Sequence, residues 1–279
     1  MKRLLPILFI LPLSLLCFEG QTPEKNLAFQ KMDATQTADE NKLRVLPNKA
    51  FKRGEILKYR LHYGFIDAGE AIIQVTGDNK QIDGRNTYHV VGLGYSKGSF
   101  DWFFKVRDKY ESYIDEEAIV PWAFIRRVNE GGYVINQDYK FDQYKKTVDA
   151  NGVNYKTPEN VQDMISSFYY ARNIDFTNAK KGDLFTITSF VDKETFDLKI
   201  KFIGRETIKT DMGKIKCIRF HPVVQKGRVF KTEDDLNVWI SDDDNRIPIK
   251  AEAKILVGAI KMELLQYTNT NSPLVFVKK

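Results

Sequence analysis

Side chains in this 279-residue chain keep a rhythm of two over most of its length, and that rhythm restricts its fold more than anything else. Leu57, Tyr59, Leu61 and Tyr63 alternate with Lys58, Arg60 and His62. Successive side chains of a strand point to opposite faces, so this is the pattern of a half-buried β-strand. Ala71, Ile73 and Val75 repeat it, and Phe196, Leu198, Ile200 and Phe202 alternate strictly with Asp197, Lys199 and Lys201. Gly131-Gly132 separates strand-like residues 124–128 from 133–141, and Asp83-Gly84 precedes another strand at 88–91; both are hairpin signals. Residues 215–224, 236–240, 247–253 and 260–264 continue the theme. Aromatic residues make up 13% of the chain, a share that suits pleated, half-buried surfaces.

One segment breaks the rhythm. Thr157-Pro158-Glu159 reads as an N-cap, a proline at the first helical position and an acid in the first turn. Met164, Ile165, Phe168, Tyr169 and Arg172 then recur at helical spacing, which predicts a helix from about Glu159 to Arg172. Hairpin spacing on both sides of it favours antiparallel pairing over βαβ units. A sheet of so many strands must curl, split or close. The expected fold is mainly β: a strongly curved antiparallel sheet or open β-barrel with one central α-helix. Residues 51–279 form this single β-rich domain.

The N-terminus speaks to location. Lys2 and Arg3 precede an apolar run from Leu4 to Phe18, interrupted only by Ser14. That is the pattern of a secretory signal peptide, assigned to residues 1–20. The run falls short of the roughly 20 apolar residues that span a bilayer comfortably. Leu13-Ser14-Leu15-Leu16-Cys17 resembles a bacterial lipoprotein box, although such boxes prefer a smaller residue than Leu16. Two readings stay open: acylation of Cys17, or cleavage a few residues later, before Gln21. Residues 21–50 are polar and aperiodic and read as a flexible tether. The expected location is periplasmic or outer-membrane associated. With Cys17 removed or acylated, Cys217 has no thiol partner within the chain, and in its apolar run it reads as a small buried hydrophobe. The net charge of +6 comes without a long block of consecutive Lys and Arg, which argues against a nucleic-acid partner.

Candidate chemistry is sparse. Gly94-Tyr95-Ser96-Lys97-Gly98 fits the G-x-S-x-G nucleophile elbow, and His221 follows downstream. The elbow needs a strand, a sharp turn and a helix; residues 100–106 alternate like a strand, so chance spacing is the plainer reading. Asp242-Asp243-Asp244-Asn245 offers oxygens for Ca²⁺, but Arg246 and the missing twelfth-position Glu break the EF-hand pattern. A turn fits better, with the Asp-Asn pair taking positive φ at its tip. His62, His89 and His221 lack the spacing of a zinc site, so neither metal nor cofactor is expected. Asp101, Asp108, Glu111 and Asp163 could supply the carboxylate pair of a glycosidase, about 5–10 Å apart, yet carboxylates are too plentiful to select any two. No catalytic residue is assigned.

The most informative stretch runs from Ser99 to Arg107. Read as a strand, it puts Phe100, Trp102, Phe104 and Val106 on one face and Asp101, Phe103, Lys105 and Arg107 on the other. A ring amid charges can stack on a sugar or lipid headgroup while the charges orient it. Asp101, Phe103, Lys105 and Arg107 are therefore the candidate ligand-binding residues. Trp122 and Trp239 would extend the site; Trp239 is out of phase with Leu236, Val238 and Ile240 and should face away from the main core. The plainer alternative makes the first face core and the second face solvent.

Several fragments carry a family resemblance. They are Gly54-Glu55-Ile56-Leu57-Lys58-Tyr59, Asp67-Ala68-Gly69-Glu70-Ala71, Phe104-Lys105-Val106-Arg107-Asp108, Gln162-Asp163-Met164-Ile165-Ser166-Ser167, and Val238-Trp239-Ile240-Ser241-Asp242-Asp243 with Arg246-Ile247-Pro248, then Ile255-Leu256-Val257-Gly258. In this order and spacing the chain resembles domain-of-unknown-function family 3108, a group of bacterial envelope proteins. The resemblance implies a periplasmic or outer-membrane location and carries over no catalytic residue. The functional expectation is an exported, non-enzymatic binder of an amphipathic lipid or glycan. A glycan or lipid hydrolase and a structural subunit of an envelope complex are the alternatives.

Overall fold

The computed structural model describes residues 42–223, 232, 235–255 and 258–277, so the signal-like run, Cys17 and most of the tether lie outside the described residues. Fourteen strands make one antiparallel sheet. In chain order they are β1 (Ile56–Tyr63), β2 (Ile66–Ile82), β3 (Arg85–Ser96), β4 (Arg107–Asp115), β5 (Pro121–Glu130), β6 (Tyr133–Asp142), β7 (Thr147–Ala150), β8 (Val153–Lys156), β9 (Leu184–Val191), β10 (Glu194–Thr210), β11 (Gly213–Pro222), β12 (Leu236–Ser241), β13 (Pro248–Lys254) and β14 (Ala259–Thr268). Among the described residues two helices interrupt them, α1 (Gly98–Phe103) and α2 (Met164–Ala171).

The strands run as a meander from β1 to β8 in one direction and from β14 back to β9 in the other. The two runs join where β1 pairs with β14, from Ile56 opposite Thr268 to Tyr63 opposite Ile260. The edges β8 and β9 do not pair with each other. They are brought together by the segment between them: Gln162 donates its N–H to Thr188 O at 2.9 Å and accepts from Phe190 N at 2.8 Å. Phe190 then packs its ring against Tyr139 and Tyr155, each at 5.5 Å between centroids. The mainly β, strongly curved antiparallel sheet is therefore the observed fold, wrapped until its edges are bridged by side chains and one extended segment.

The inner face is filled rather than hollow. Helix α2 lies there with Met164, Ile165, Ser166, Ser167 and Tyr169 all buried. Gly92 on β3 lies directly under it, where even a Cβ would touch the Ile165 Cδ1 at 3.5 Å. The helix starts later than its sequence suggests. Thr157 and Pro158 precede it in extended chain, and the N-cap is Asp163. The Asp163 Oδ1 accepts from Ser166 N at 2.7 Å, and the Asp163 N–H donates to Ser166 Oγ at 2.8 Å, a reciprocal capping box. The residues before Asp163 are claimed by the bridge to β9, which a local cap signal does not foresee.

At its other end α2 is held by Arg172. The guanidinium donates to Glu55 Oε1 and Oε2 at 2.6 and 2.8 Å, to Ala50 O at 2.8 Å and to Asn245 O at 2.9 Å. Both side chains of the ion pair are buried. One residue thus ties the helix, the segment leading into β1 and the β12–β13 turn together. That leading segment is part of the body: Leu46 N donates to Glu117 O at 2.7 Å and Ala50 is buried, so residues 44–50 lie against it although their polarity suggests tether.

Two local expectations need correction. Residues 98–103 are helical, not a strand. Phe100, Phe103 and Phe104 satisfy an i, i+3, i+4 spacing as well as alternation with Trp102, and so short a window cannot separate the two periods. In the β12–β13 turn, positive φ falls on Arg246 (50°) and not on the Asp-Asn pair. Asp243 Oδ1 accepts from Asn245 N at 3.1 Å and from Ser241 Oγ at 2.7 Å, and Asn245 is buried with its Oδ1 accepting from Ser272 N at 2.9 Å. Cys217 is buried and free, and burial pushes its thiol up to about 12.

Candidate functional site

The β3–α1–β4 corner gathers four of the six sequence-selected residues. Ser96 ends β3, and Gly98 turns the chain at φ 54° into α1. Asp101 in the first turn of α1 receives the Arg107 guanidinium in a two-pronged pair, 2.7 and 3.2 Å, and the Ser96 hydroxyl donates to the same carboxylate. Those hydrogen bonds, Arg107 first and Ser96 second, hold Asp101 down at about 2. Lys105 and Phe103 are exposed beside them. On the neighbouring strand, partial burial pulls Glu70 upward, but hydrogen bonds from Lys97, Tyr95 and Lys58 outweigh it and take the group to about 2. Tyr95 Oη donates to Glu70 Oε2 at 2.6 Å and is pushed up to about 12 by that bond.

Next to this corner the outer face of β3–β6 forms an open depression of about 620 Å³. Its lining includes Leu93, Tyr95, Arg107, Lys109, Arg127 and Val134. Three cations and two exposed aliphatic side chains share one concavity. Each cation has a carboxylate partner: Arg107 pairs with Asp101, Lys109 with Glu111 at 2.7 Å, and Arg127 with Asp138 at 2.7 Å. The surface is thus mixed in charge and in polarity.

Asp108 lines the floor of the depression, and it belongs to a buried acid pair whose other member, Glu130, sequence reasoning missed. Asp108 and Glu130 are both buried, and each carboxyl acts on the other. Burial, then the Asp108 charge, pushes Glu130 up to about 9; burial likewise raises Asp108. Two adjacent buried carboxylates cannot both ionise cheaply, so the shifts run toward the protonated form. Arg126, over the Tyr110 ring at 5.6 Å, faces the same space. Glu130 was legible: it continues the inward phase of Trp122, Phe124, Arg126 and Val128 by one step.

The other selected residues go elsewhere. Trp122 is buried at the far end of β5, where its Nε1 donates to Asp115 Oδ2 at 3.0 Å. Trp239 sits on β12 in the other run of the sheet. It stands opposite Arg219 and Lys250 on the adjoining strands, which lie over its ring, and at 7% exposure it belongs to the buried cluster that includes Cys217 and Ile249. Of the four carboxylates weighed as a hydrolytic pair, Asp101 binds Arg107, Glu111 binds His89 and Lys109, and Asp163 caps α2. Only Asp108 meets another acid, and that acid is Glu130. The strand–turn–helix context of G-x-S-x-G is present around Ser96, but Ser96 is 3% exposed and its hydroxyl partners are Asp101, Val106 N and Arg107. No group of three His, Cys, Asp or Glu among the described residues could hold a metal ion.

The profile of the family described as "Protein of unknown function (DUF3108)" matches residues 58–265, three quarters of the chain and nearly all of the sheet. The chain belongs to this family. Every residue of the corner, the depression and the acid pair lies within the DUF3108 match. Among solved structures, the chain is similar to a β-barrel-like protein of domain of unknown function DUF1849 from Brucella abortus, at 10% identity and TM-score 0.50, covering 81% of this chain and 99% of that one. That likeness speaks for a shared β-barrel-like fold. A candidate lipoprotein from Parabacteroides distasonis aligns more loosely, at 13% identity and TM-score 0.35, over 81% of this chain and 100% of that one. Nothing among curated proteins matches the chain.

Proposed function

We propose that this DUF3108 protein is exported and acts in the cell envelope, periplasmic or outer-membrane associated, as a non-enzymatic binder of an amphipathic ligand with an anionic head. The observation that carries the reading is the depression on β3–β6, where Arg107, Lys109 and Arg127 stand beside Leu93, Tyr95 and Val134. The cations would meet a phosphate or carboxylate headgroup, exchanging their present carboxylate partners, and the aliphatic side chains would cover the first methylenes. Asp101 positions Arg107, with Phe103 and Lys105 on the flank. The interior offers less support, because α2 and its aromatic neighbours fill it. A hydrolase centred on Ser96 gains no support from a buried hydroxyl engaged with Asp101.

The test is titration of the protein with dodecyl phosphate, followed by calorimetry. Loss of one charge-assisted hydrogen bond costs about 1.5–3 kcal/mol, so a Lys109→Gln/Arg127→Gln variant is expected to bind at least roughly tenfold more weakly. Equal binding by the variant, or none by the parent, overturns the reading. Export and anchoring are tested separately by labelled fatty-acid incorporation against a Cys17→Ala variant.

A further inference from the structure

Four aromatic side chains stand in solvent at one end of the shell. Phe65 tips the β1–β2 turn and is fully exposed. Trp102 and Phe103 close α1 at 91% and 58% exposure, and Tyr133 opens β6 at 55%. Ile66 and Val134 are exposed beside them. Antiparallel alternation places the β1–β2, β3–β4 and β5–β6 connections at the same end of the sheet. Direct contacts join the three tips. Lys97 N donates to Ala68 O at 3.0 Å, Gly131 N donates to Lys105 O at 2.8 Å, and the Phe104 ring lies over Gly131. The opposite end, where the chain enters β1 and leaves β14, carries a single exposed ring among the described residues, Phe276.

Single exposed aromatics are ordinary, but four on adjoining tips make a patch that needs a partner. Their chemistry points to one. The indole of Trp102 and the phenol of Tyr133 join an apolar body to a polar edge and suit the level where hydrocarbon meets headgroups, and Phe65 and Phe103 add purely apolar surface. Lys97, Lys105 and Arg107 are exposed just behind the rings, Lys97 paired with Glu70 and Arg107 with Asp101, partners that a lipid phosphate would replace. Cations at that depth would face lipid phosphates.

We propose that this rim docks onto the surface of a lipid bilayer carrying anionic headgroups. The rings of Phe65, Trp102, Phe103 and Tyr133 enter the interface, and Lys97, Lys105 and Arg107 face the phosphates. Several shallow anchors together give reversible attachment where one would be marginal. The proposal stands on the rim and does not need the depression to bind anything.

The molecule contains its own reporter. Of its three tryptophans, Trp122 and Trp239 are buried, so Trp102 is the indole that responds to the surroundings. The full chain is mixed with phosphatidylcholine vesicles, with and without phosphatidylglycerol, carrying brominated acyl chains. With phosphatidylglycerol, Trp102 emission is expected to move to shorter wavelength and to be quenched, less so in high salt. Trp102→Phe should remove the signal. Phe65→Ser/Phe103→Ser should lose most of the quenching with an unchanged melting temperature. Lys109→Gln/Arg127→Gln should keep it, which separates this test from that of the depression. Three results overturn the proposal: no association with vesicles; vesicle-bound protein whose Trp102 stays open to aqueous iodide, meaning that the apolar N-terminal run alone holds it; or Trp102 shielded without vesicles in proportion to protein concentration, meaning that a second copy covers the rim.

Discussion

The Glu55–Arg172 pair shows how much can rest on one side chain. Both members are withdrawn from water, and Arg172 also satisfies carbonyls from two other segments. Breaking such a pair by removing one partner leaves a buried charge without compensation and costs about 3–5 kcal/mol. Glu55→Gln should lower the urea midpoint accordingly, and Glu55→Gln/Arg172→Met should recover part of the loss. The Asp108–Glu130 pair makes a different statement, about pH. Glu130 keeps its proton in the folded chain and releases it in the unfolded one, whose carboxyl has the ordinary value of 4.5. The folded state therefore binds more protons between that value and about 9. Its contribution is complete below the lower limit and is lost as pH rises through the upper one, by up to about 1.4 kcal/mol per pH unit. Glu130→Gln keeps a hydrogen-bond donor toward Asp108 but has no proton to release. Unfolding midpoints from pH 5 to 9 should fall less steeply for the variant than for the parent; parallel slopes would refute the upward shift of Glu130. Neither pair could be read from the sequence. Sequence phase marks Glu130 as inward, and only the curvature of the sheet brings Asp108 to it. Likewise Glu55 lies 117 residues from Arg172 along the chain.

At the scale of elements, what local pattern could and could not reveal divides cleanly. The strands were legible because alternation reports burial on one face, and the Asp83-Gly84 and Gly131-Gly132 turns carry the positive φ that their hairpins need. The helices were less so. Residues 98–103 fit both periods, and α2 begins where tertiary pairing releases the chain, at Asp163, rather than at the earlier Thr-Pro-Glu signal. That cap is testable. Asp163 accepts from Ser166 N and from Ser112 Oγ at 2.6 Å inside the core. Asp163→Ala removes an N-cap worth about 1 kcal/mol and strands a buried hydroxyl at about 1–3 kcal/mol more, so a loss of about 2–4 kcal/mol is expected in denaturant unfolding. Asp163→Asn, which keeps an acceptor, should cost less. At the β5–β6 turn, Gly131 has φ 57°, and a Cβ there would come within 2.5 Å of the Phe104 ring. Gly131→Ala should destabilise by about 1–3 kcal/mol and displace Phe104, seen as changed amide exchange in α1.

For the molecule as a whole, alternation sufficed to foresee a curved β shell around a helix, because a sheet this wide cannot stay flat and open. It could not foresee which strands would be neighbours, since a repeat of two names the face of a strand and not its partner. The pairing of β1 with β14 is the part no local pattern carried. It sets Ile56 opposite Thr268, so the chain comes in and goes out side by side. Asn269 and Asn271 hydrogen-bond to carbonyls of Arg53 and Lys49 at that same place. Under mechanical load this geometry has a direct result. A force drawing the two termini apart meets the β1–β14 ladder as a zipper and opens its rungs one after another, instead of straining them all at once. Such a molecule should yield gently when tugged by its ends, and resist best when gripped elsewhere.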